Sequence, residues 1–204
     1  MHARLDPYDG QPGHEVDAPD LADPGGGVAG QPGLLGCVTF RELAGPAAVC
    51  LTLWDTEASA ASFPGLRAGL AALSGETYEV IDTDEGLAAG RTPTCARLLY
   101  FDGPRAPEQV VAADRAGRRR IWPTIRGLSG LVGIYVLLGR DLGSVVVTLA
   151  TSTNTLDAAA RAVMATDLAP DEDPALLPGP DRVEIHRVTA YQMPAAAPAK
   201  EGRI

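Results

Sequence analysis

Gly130-Leu-Val-Gly-Ile-Tyr-Val-Leu-Leu-Gly-Arg-Asp-Leu-Gly-Ser-Val-Val-Val-Thr-Leu149 decides the reading of this chain. Two apolar, β-branched-rich runs flank the polar turn Gly139-Arg-Asp-Leu-Gly143, the pattern of a β-hairpin with glycine available where the turn needs positive φ. A weaker copy lies upstream, Gly33 to Phe40 followed by Ala48 to Leu53. The rest of the chain is read as what precedes and follows each hairpin.

Around the second hairpin, Ala96 to Phe101 reads as a strand. Pro107 then opens a helix at a position where a missing N–H costs nothing, and Val110, Ala113, Gly117, Ile121, Ile125 and Leu128 follow at helical spacing. Pro123 should kink that helix near its end. After the hairpin, Ser152 or a neighbour caps a helix with the apolar stripe Leu156, Ala159, Ala160, Val163 and Met164. Arg182 to Tyr191 closes the unit as a strand. The order β-α-β-β-α-β is the ferredoxin-like arrangement, a four-stranded antiparallel sheet with both helices on one face.

The unit has a second copy. His2-Ala-Arg-Leu-Asp-Pro-Tyr-Asp-Gly10 aligns with Cys95-Ala-Arg-Leu-Leu-Tyr-Phe-Asp-Gly103. Gly33 with Gly130, Thr52-Leu53 with Thr148-Leu149, and Glu79-Val80 with Glu184-Ile185 follow collinearly, each separated by roughly a hundred residues. The expected organisation is therefore repeat one at 1–82, a linker at 83–94, repeat two at 95–191 and a flexible tail at 192–204. The other face of each sheet must be covered, so the two repeats are expected to pack sheet to sheet as an intrachain α+β barrel. Gln11 to Pro32, where repeat one should carry its first helix, is rich in Gly and Pro, which cost a helix interior about 1 and 3 kcal/mol per residue. That helix is expected to be degenerate, leaving an acidic flap over a cavity at Trp54 in repeat one.

Composition bounds the function. The chain has 204 residues, 46% of them hydrophobic, enough for a substantial core. No apolar run reaches the ~20 residues of a membrane span and MHARLDPYDG lacks the features of a signal peptide, so a cytoplasmic location is expected. A net charge of −9 disfavours nucleic acid as a partner. The arginines at 105, 115, 118, 119, 120 and 126 read as the solvated face of a helix. Cys37, Cys50 and Cys95 lie in apolar strands without CxxC spacing and read as buried reduced thiols.

Leu51-Thr-Leu-Trp-Asp-Thr-Glu-Ala-Ser-Ala-Ala-Ser-Phe63, a strand ending in Trp followed by a polar cap and an Ala-rich helix, resembles the antibiotic-biosynthesis-monooxygenase-like family of the dimeric α+β barrel superfamily, here in tandem form. The Gly-Leu-x-Gly start of each hairpin supports the resemblance, which covers nearly the whole chain. It implies a ligand cavity and, in some members, cofactor-independent oxygenation of polycyclic aromatic compounds. The haem-degrading branch uses an Asn, a Trp and a His. Only Trp54 matches, the other positions falling near Ala3 and at Phe63 or Pro64, with Ala150 standing in for the Trp in repeat two. Haem degradation is not implied.

Candidate site residues follow. Trp54, at a strand end beside a helix start, either lines a pocket with its N–H or closes the core. Tyr100 and Trp122 are further ligand-pocket candidates, though as large aromatics they read first as core. His186 is the candidate base, lacking an identified carboxylate partner. His14, Glu15 and Asp17 are too weak a pattern for a metal, and no nucleotide or flavin motif is present. The expected function is a cofactor-independent monooxygenase-like enzyme with Trp54 and His186 catalytic, acting on an aromatic or quinone-like small molecule, as a single chain serving as a pseudo-dimer. The alternative is a non-catalytic small-molecule-binding or interaction protein of the same fold.

Overall fold

Both hairpins form. The computed structural model describes residues 1–9, 30–45, 47–63 and 75–193. Strands are β1 (His2–Asp9), β2 (Leu34–Glu42), β3 (Ala47–Trp54), β4 (Glu76–Glu85), β5 (Cys95–Phe101), β6 (Leu131–Leu138), β7 (Ser144–Ala150) and β8 (Arg182–Gln192). Helices are α1 (Glu57–Ser62), α2 (Pro107–Ala116), α3 (Trp122–Ile125) and α4 (Thr153–Met164). The fold is α+β. Of the stretch expected to be a flap, residues 11–29 lie outside the described residues, as do His14, Glu15 and Asp17 and most of the expected tail.

The chain divides into two compact units, residues 1–81 with 185–204, and residues 82–184. This division cuts through β4 and β8 rather than falling at the linker expected over 83–94. β4 continues to Glu85, and β8 runs one residue past the expected Tyr191.

In the first unit the strand order is β4, β1, β3, β2, β8, with antiparallel registers such as Arg4↔Thr52 and Cys37↔Thr52. Strand alternation sorts the side chains into two faces. Ala3, Leu5, Val38, Phe40, Leu51 and Leu53 share one buried apolar face. Arg4, Asp6, Cys37, Thr39, Cys50 and Thr52 share the other, which carries α1. The Ser59 N–H donates to Thr56 Oγ1 at 3.1 Å, so Thr56 starts α1 as the sequence pattern predicts.

In the second unit the order is β8, β5, β7, β6, β4. Ala96, Leu98, Tyr100, Leu137, Val147 and Leu149 form a buried face. Arg97, Leu99, Val146, Thr148 and Ile134 lie on the opposite face, on which α4 packs against β5 and β7. Ser152 caps α4 by accepting from the Thr155 N–H at 3.2 Å. Met164, expected on the buried stripe of α4, is 86% exposed because it falls in the last turn, past the buried Leu156 and Ala159.

The two hairpins share local geometry. Each has a register shift on its first strand, between Leu34 and Gly36 and between Leu131 and Gly133. The Asp55 N–H donates to Gly33 O and the Thr151 N–H to Gly130 O, both at 2.9 Å. A Cβ on Gly33 would strike Asp55 and Ser59, and one on Gly130 would strike Thr151 and Thr155, which is why a glycine begins each hairpin. The tip of the second hairpin departs from expectation. Leu142, not a glycine, takes positive φ at 67°, while the Gly143 N–H is held by Asp141 Oδ1 at 3.0 Å.

The long helix starts with Pro107 in its first turn and breaks ahead of Pro123, as predicted. The break takes the form of a π-helical turn, Gly117–Ile121, from which α3 resumes with the Trp122 N–H donating to Gly117 O. A proline ring crowds the carbonyl four residues earlier, here that of Arg119, and a wider turn relieves the crowding. Ala116, Trp122 and Ile125 are buried, while Ala113, expected on the apolar stripe, is exposed.

Candidate active site

Arg97 on β5, Thr148 on β7 and Ile134 on β6 sit directly opposite one another across adjacent strands of the second unit, on the face that carries α4. Strand spacing puts the two ends of this row about 10 Å apart. Ile134, like Ile121 and Val163, packs against the buried cluster of Trp122, Ile125, Leu131 and Ala159. The row therefore leads from a guanidinium across a hydroxyl to an indole through apolar surroundings.

Both ends carry an unused donor. Trp122 is 6% exposed and its Nε1–H has no acceptor. The Arg97 side chain is 14% exposed and its Nε–H likewise has none; its Nη2 stands 3.7 Å from Asp157 Oδ1 on α4, a carboxylate that is itself 61% exposed. Burial pulls the Arg97 pKa below its ordinary value, opposed only by Asp157. Buried polar groups are nearly always paired, since an orphan forfeits its hydration, about 1–3 kcal/mol. Two buried donors without acceptors, among apolar side chains of the second unit, make this face the candidate site.

The corresponding face of the first unit is satisfied internally. Arg4, the counterpart of Arg97, gives its Nε–H to Asp6 Oδ1 at 2.8 Å and its Nη1–H to Phe63 O at 2.6 Å. Trp54 is 1% exposed, packs at 5.2 Å from the Phe63 ring among Cys37, Ala60 and Ala190, and donates its Nε1–H to Thr52 Oγ1 at 2.8 Å. Its N–H is not available to a ligand in this conformation. In the second unit Leu99 takes the position of Asp6 and Ala150 that of Trp54.

The expected catalytic pair does not converge. Trp54 pairs in register with Leu34 and His186 with Glu42, at opposite ends of β2, about 25 Å apart along the strand. His186 is fully buried, its ring 6.0 Å from Phe40. The expected pocket trio does not share one site either: Trp54 belongs to the first unit, and within the second Tyr100 points to the opposite face of β5 from Arg97. The Tyr100 ring lies 3.6 Å under the Arg182 guanidinium, and burial first, then the Glu184 charge, raises its pKa and keeps the phenol neutral. Of the four expected residues, Trp122 alone lies at the face described above. Arg97 and Thr148 went unnamed by sequence reasoning, although the Ala-Arg-Leu shared by the two strand starts marks the arginine.

The fold can now be set beside known ones. No protein-family model matches the chain, and no curated protein does. Among solved structures it is similar to a candidate monooxygenase from Fusobacterium nucleatum subsp. nucleatum, at TM-score 0.67 and 9% identity over 96% of this chain and 95% of that one. An anthrone oxidase-like protein follows at TM-score 0.57 and 15% identity, over 93% and 92%. A ferredoxin-fold protein related to antibiotic biosynthesis monooxygenases, from Listeria monocytogenes, gives TM-score 0.52 and 8% identity over 91% and 94%. The chain shares the fold of these ferredoxin-fold structures.

Among the described residues, the remaining features carry no comparable site. The arginine run is paired: Arg115 and Arg119 meet Asp171, Arg118 meets Asp114 and Asp82, and Arg120 donates to Glu172 at 2.7 Å. An open depression of about 390 Å³ beside Arg119, Thr124 and Thr166 is lined by these already paired cations. All three cysteines are buried free thiols, with burial pushing Cys37 up to about 11. Among the described residues no cluster of metal-binding side chains occurs and no helix is long and apolar enough to cross a membrane.

Proposed function

We propose that this chain is a cofactor-independent, monooxygenase-like enzyme that binds an aromatic or quinone-like small molecule on the α4-covered face of its second unit. The observation that carries the proposal is the buried Trp122 N–H without an acceptor, set among Ile121, Ile134 and Val163. An apolar wall with one fixed donor suits a flat ring system bearing a carbonyl or phenolic oxygen. The likeness to an anthrone oxidase-like protein suggests an anthrone-type compound as the first to try. In that reaction the ring CH2 loses a proton to solvent and the resulting anion reacts with O2. One oxygen atom becomes the new carbonyl and the other leaves as water with the two hydrogens of the CH2. The protein supplies a dry surface and a hydrogen bond to the ionised oxygen.

The reading extends to architecture. The two units are taken as tandem ferredoxin-like repeats, residues 1–82 and 95–191, packed sheet to sheet as one intrachain α+β barrel. Support comes from the paired register shifts, the matched Gly33 and Gly130 contacts, the matched caps at Thr56 and Ser152, and the passage of β4 and β8 from one unit into the other.

The second reading, a binding protein without turnover, is favoured by one observation. Among the described residues, the titratable groups beside Arg97 on the α4-covered face are Cys95 and the exposed Asp157, neither of them a buried base. Oxygen uptake with anthrone separates the two. Enzymatic turnover consumes one O2 for each anthraquinone formed and falls in Trp122→Phe; saturable binding without uptake establishes the second reading, and absence of binding contradicts both.

A further inference from the structure

We infer that Arg97 seats the oxyanion of an ionised ligand, so that the second unit takes the phenolate or enolate form of an aromatic molecule in preference to its neutral form. This rests on the reading of the α4-covered face as the ligand site. Two arginines in equivalent strand positions, opposite Thr52 and Thr148, have different surroundings. Arg4 is fully provided for: its Nε–H reaches both oxygens of Asp6, at 2.8 and 3.1 Å, and its Nη1–H reaches the carbonyls of Phe63 and Ala60 at 2.6 and 3.4 Å. Asp6 sits two residues along the same strand, on the same face, with its side chain almost wholly buried.

Two residues along from Arg97 stands Leu99, which can accept nothing. The Arg97 Nε–H is buried without an acceptor, and its nearest carboxylate is the solvent-screened Asp157 at 3.7 Å. The other titratable groups nearby do not compensate it. Cys95, on the same face of β5, is a buried thiol whose pKa is raised by desolvation and which donates to Ala150 O. Glu184 on β8 is held by Arg182. Across the row β7 offers the uncharged Thr148. A buried guanidinium whose Nε–H has no acceptor, and whose one carboxylate neighbour is a long, solvent-screened contact, stabilises an anion through a charge-assisted hydrogen bond, stronger than the same contact to a neutral oxygen. Leu99 contributes by being apolar: it leaves the Nε–H free and walls the ring.

The test uses 1,2-dihydroxyanthraquinone, a flat phenolic dye that changes colour on ionisation and is not a substrate for the oxidation proposed above. Its pH titration is followed by absorbance, free and bound to the full-length chain. The bound dye should ionise about one pH unit lower than the free dye, equivalent to about ten-fold tighter binding of the anion. Arg97→Met should return the midpoint to the free value or above it, and Arg97→Lys should keep part of the shift. Leu99→Asp retains the arginine but supplies the carboxylate that Arg4 has, and should also abolish the shift. Circular dichroism checks that each variant folds. Binding with an unshifted midpoint, or a shift that persists in Arg97→Met or Leu99→Asp, overturns the inference while leaving the ligand face standing. Failure of the wild-type chain to bind the dye removes the ligand face and the inference together.

Discussion

Trp54 donates its indole N–H to the hydroxyl of Thr52, two residues back on the same face of β3, at 2.8 Å. The contact turns the residue most suggestive of a pocket into a satisfied member of the core, with its ring against Phe63. Trp54→Phe should therefore cost about 1 kcal/mol for the Thr52 acceptor left behind, measured by urea unfolding, and should leave binding of an anthraquinone dye unchanged. A variant with normal stability and lost dye binding would return Trp54 to the ligand site.

Leu142 at the tip of the second hairpin holds a left-handed backbone conformation with φ of 67°. That conformation costs a residue with a Cβ about 1–2 kcal/mol, and glycine much less. Comparing Leu142→Gly with Leu142→Ala removes the side chain in both cases. The glycine variant should be the more stable of the two by about 1 kcal/mol, and an alanine variant of equal or greater stability would show that the turn relaxes out of this conformation.

The hairpins, the capped helices and the break near Pro123 were legible because each depends on local chemistry. β-branched runs, Ser152 and Thr56 ahead of helices, and a ring without an N–H act within a few residues. The form of the break was not, since a π turn inserts one residue into the helical repeat without altering composition. The pairing of Trp54 was hidden for a related reason. An aromatic at a strand end reads as a pocket until its partner is known, and the partner of Trp54 lies on its own strand. A lone arginine on an apolar strand reads as a stem reaching for solvent. Its meaning comes from the exchange of Asp6 for Leu99 between two aligned segments, Arg-Leu-Asp at 4–6 and Arg-Leu-Leu at 97–99, where the difference says more than the match.

Asp6 carries a pH signature. Burial raises its pKa from the ordinary 3.8, and the hydrogen bond and charge of Arg4 offset this only in part. Because the folded chain holds this proton more tightly than the unfolded chain, the stability linked to Asp6 is fully present below the unfolded pKa and is lost as pH rises through the folded one. Wild-type stability measured relative to Asp6→Asn should thus decline between pH 4 and neutrality. An advantage that grows with pH would mean that the Arg4 pair outweighs burial.

The central claim is that the ligand face lies at Trp122 in the second unit and not at Trp54 in the first. The chain has two tryptophans, so its 1H–15N spectrum contains two indole N–H signals, assigned with Trp54→Phe and Trp122→Phe. On titration with 1,2-dihydroxyanthraquinone the Trp122 signal should move downfield as its N–H gains an acceptor, while that of Trp54, already bonded to Thr52, stays in place. Movement of the Trp54 signal with that of Trp122 unchanged would contradict the account.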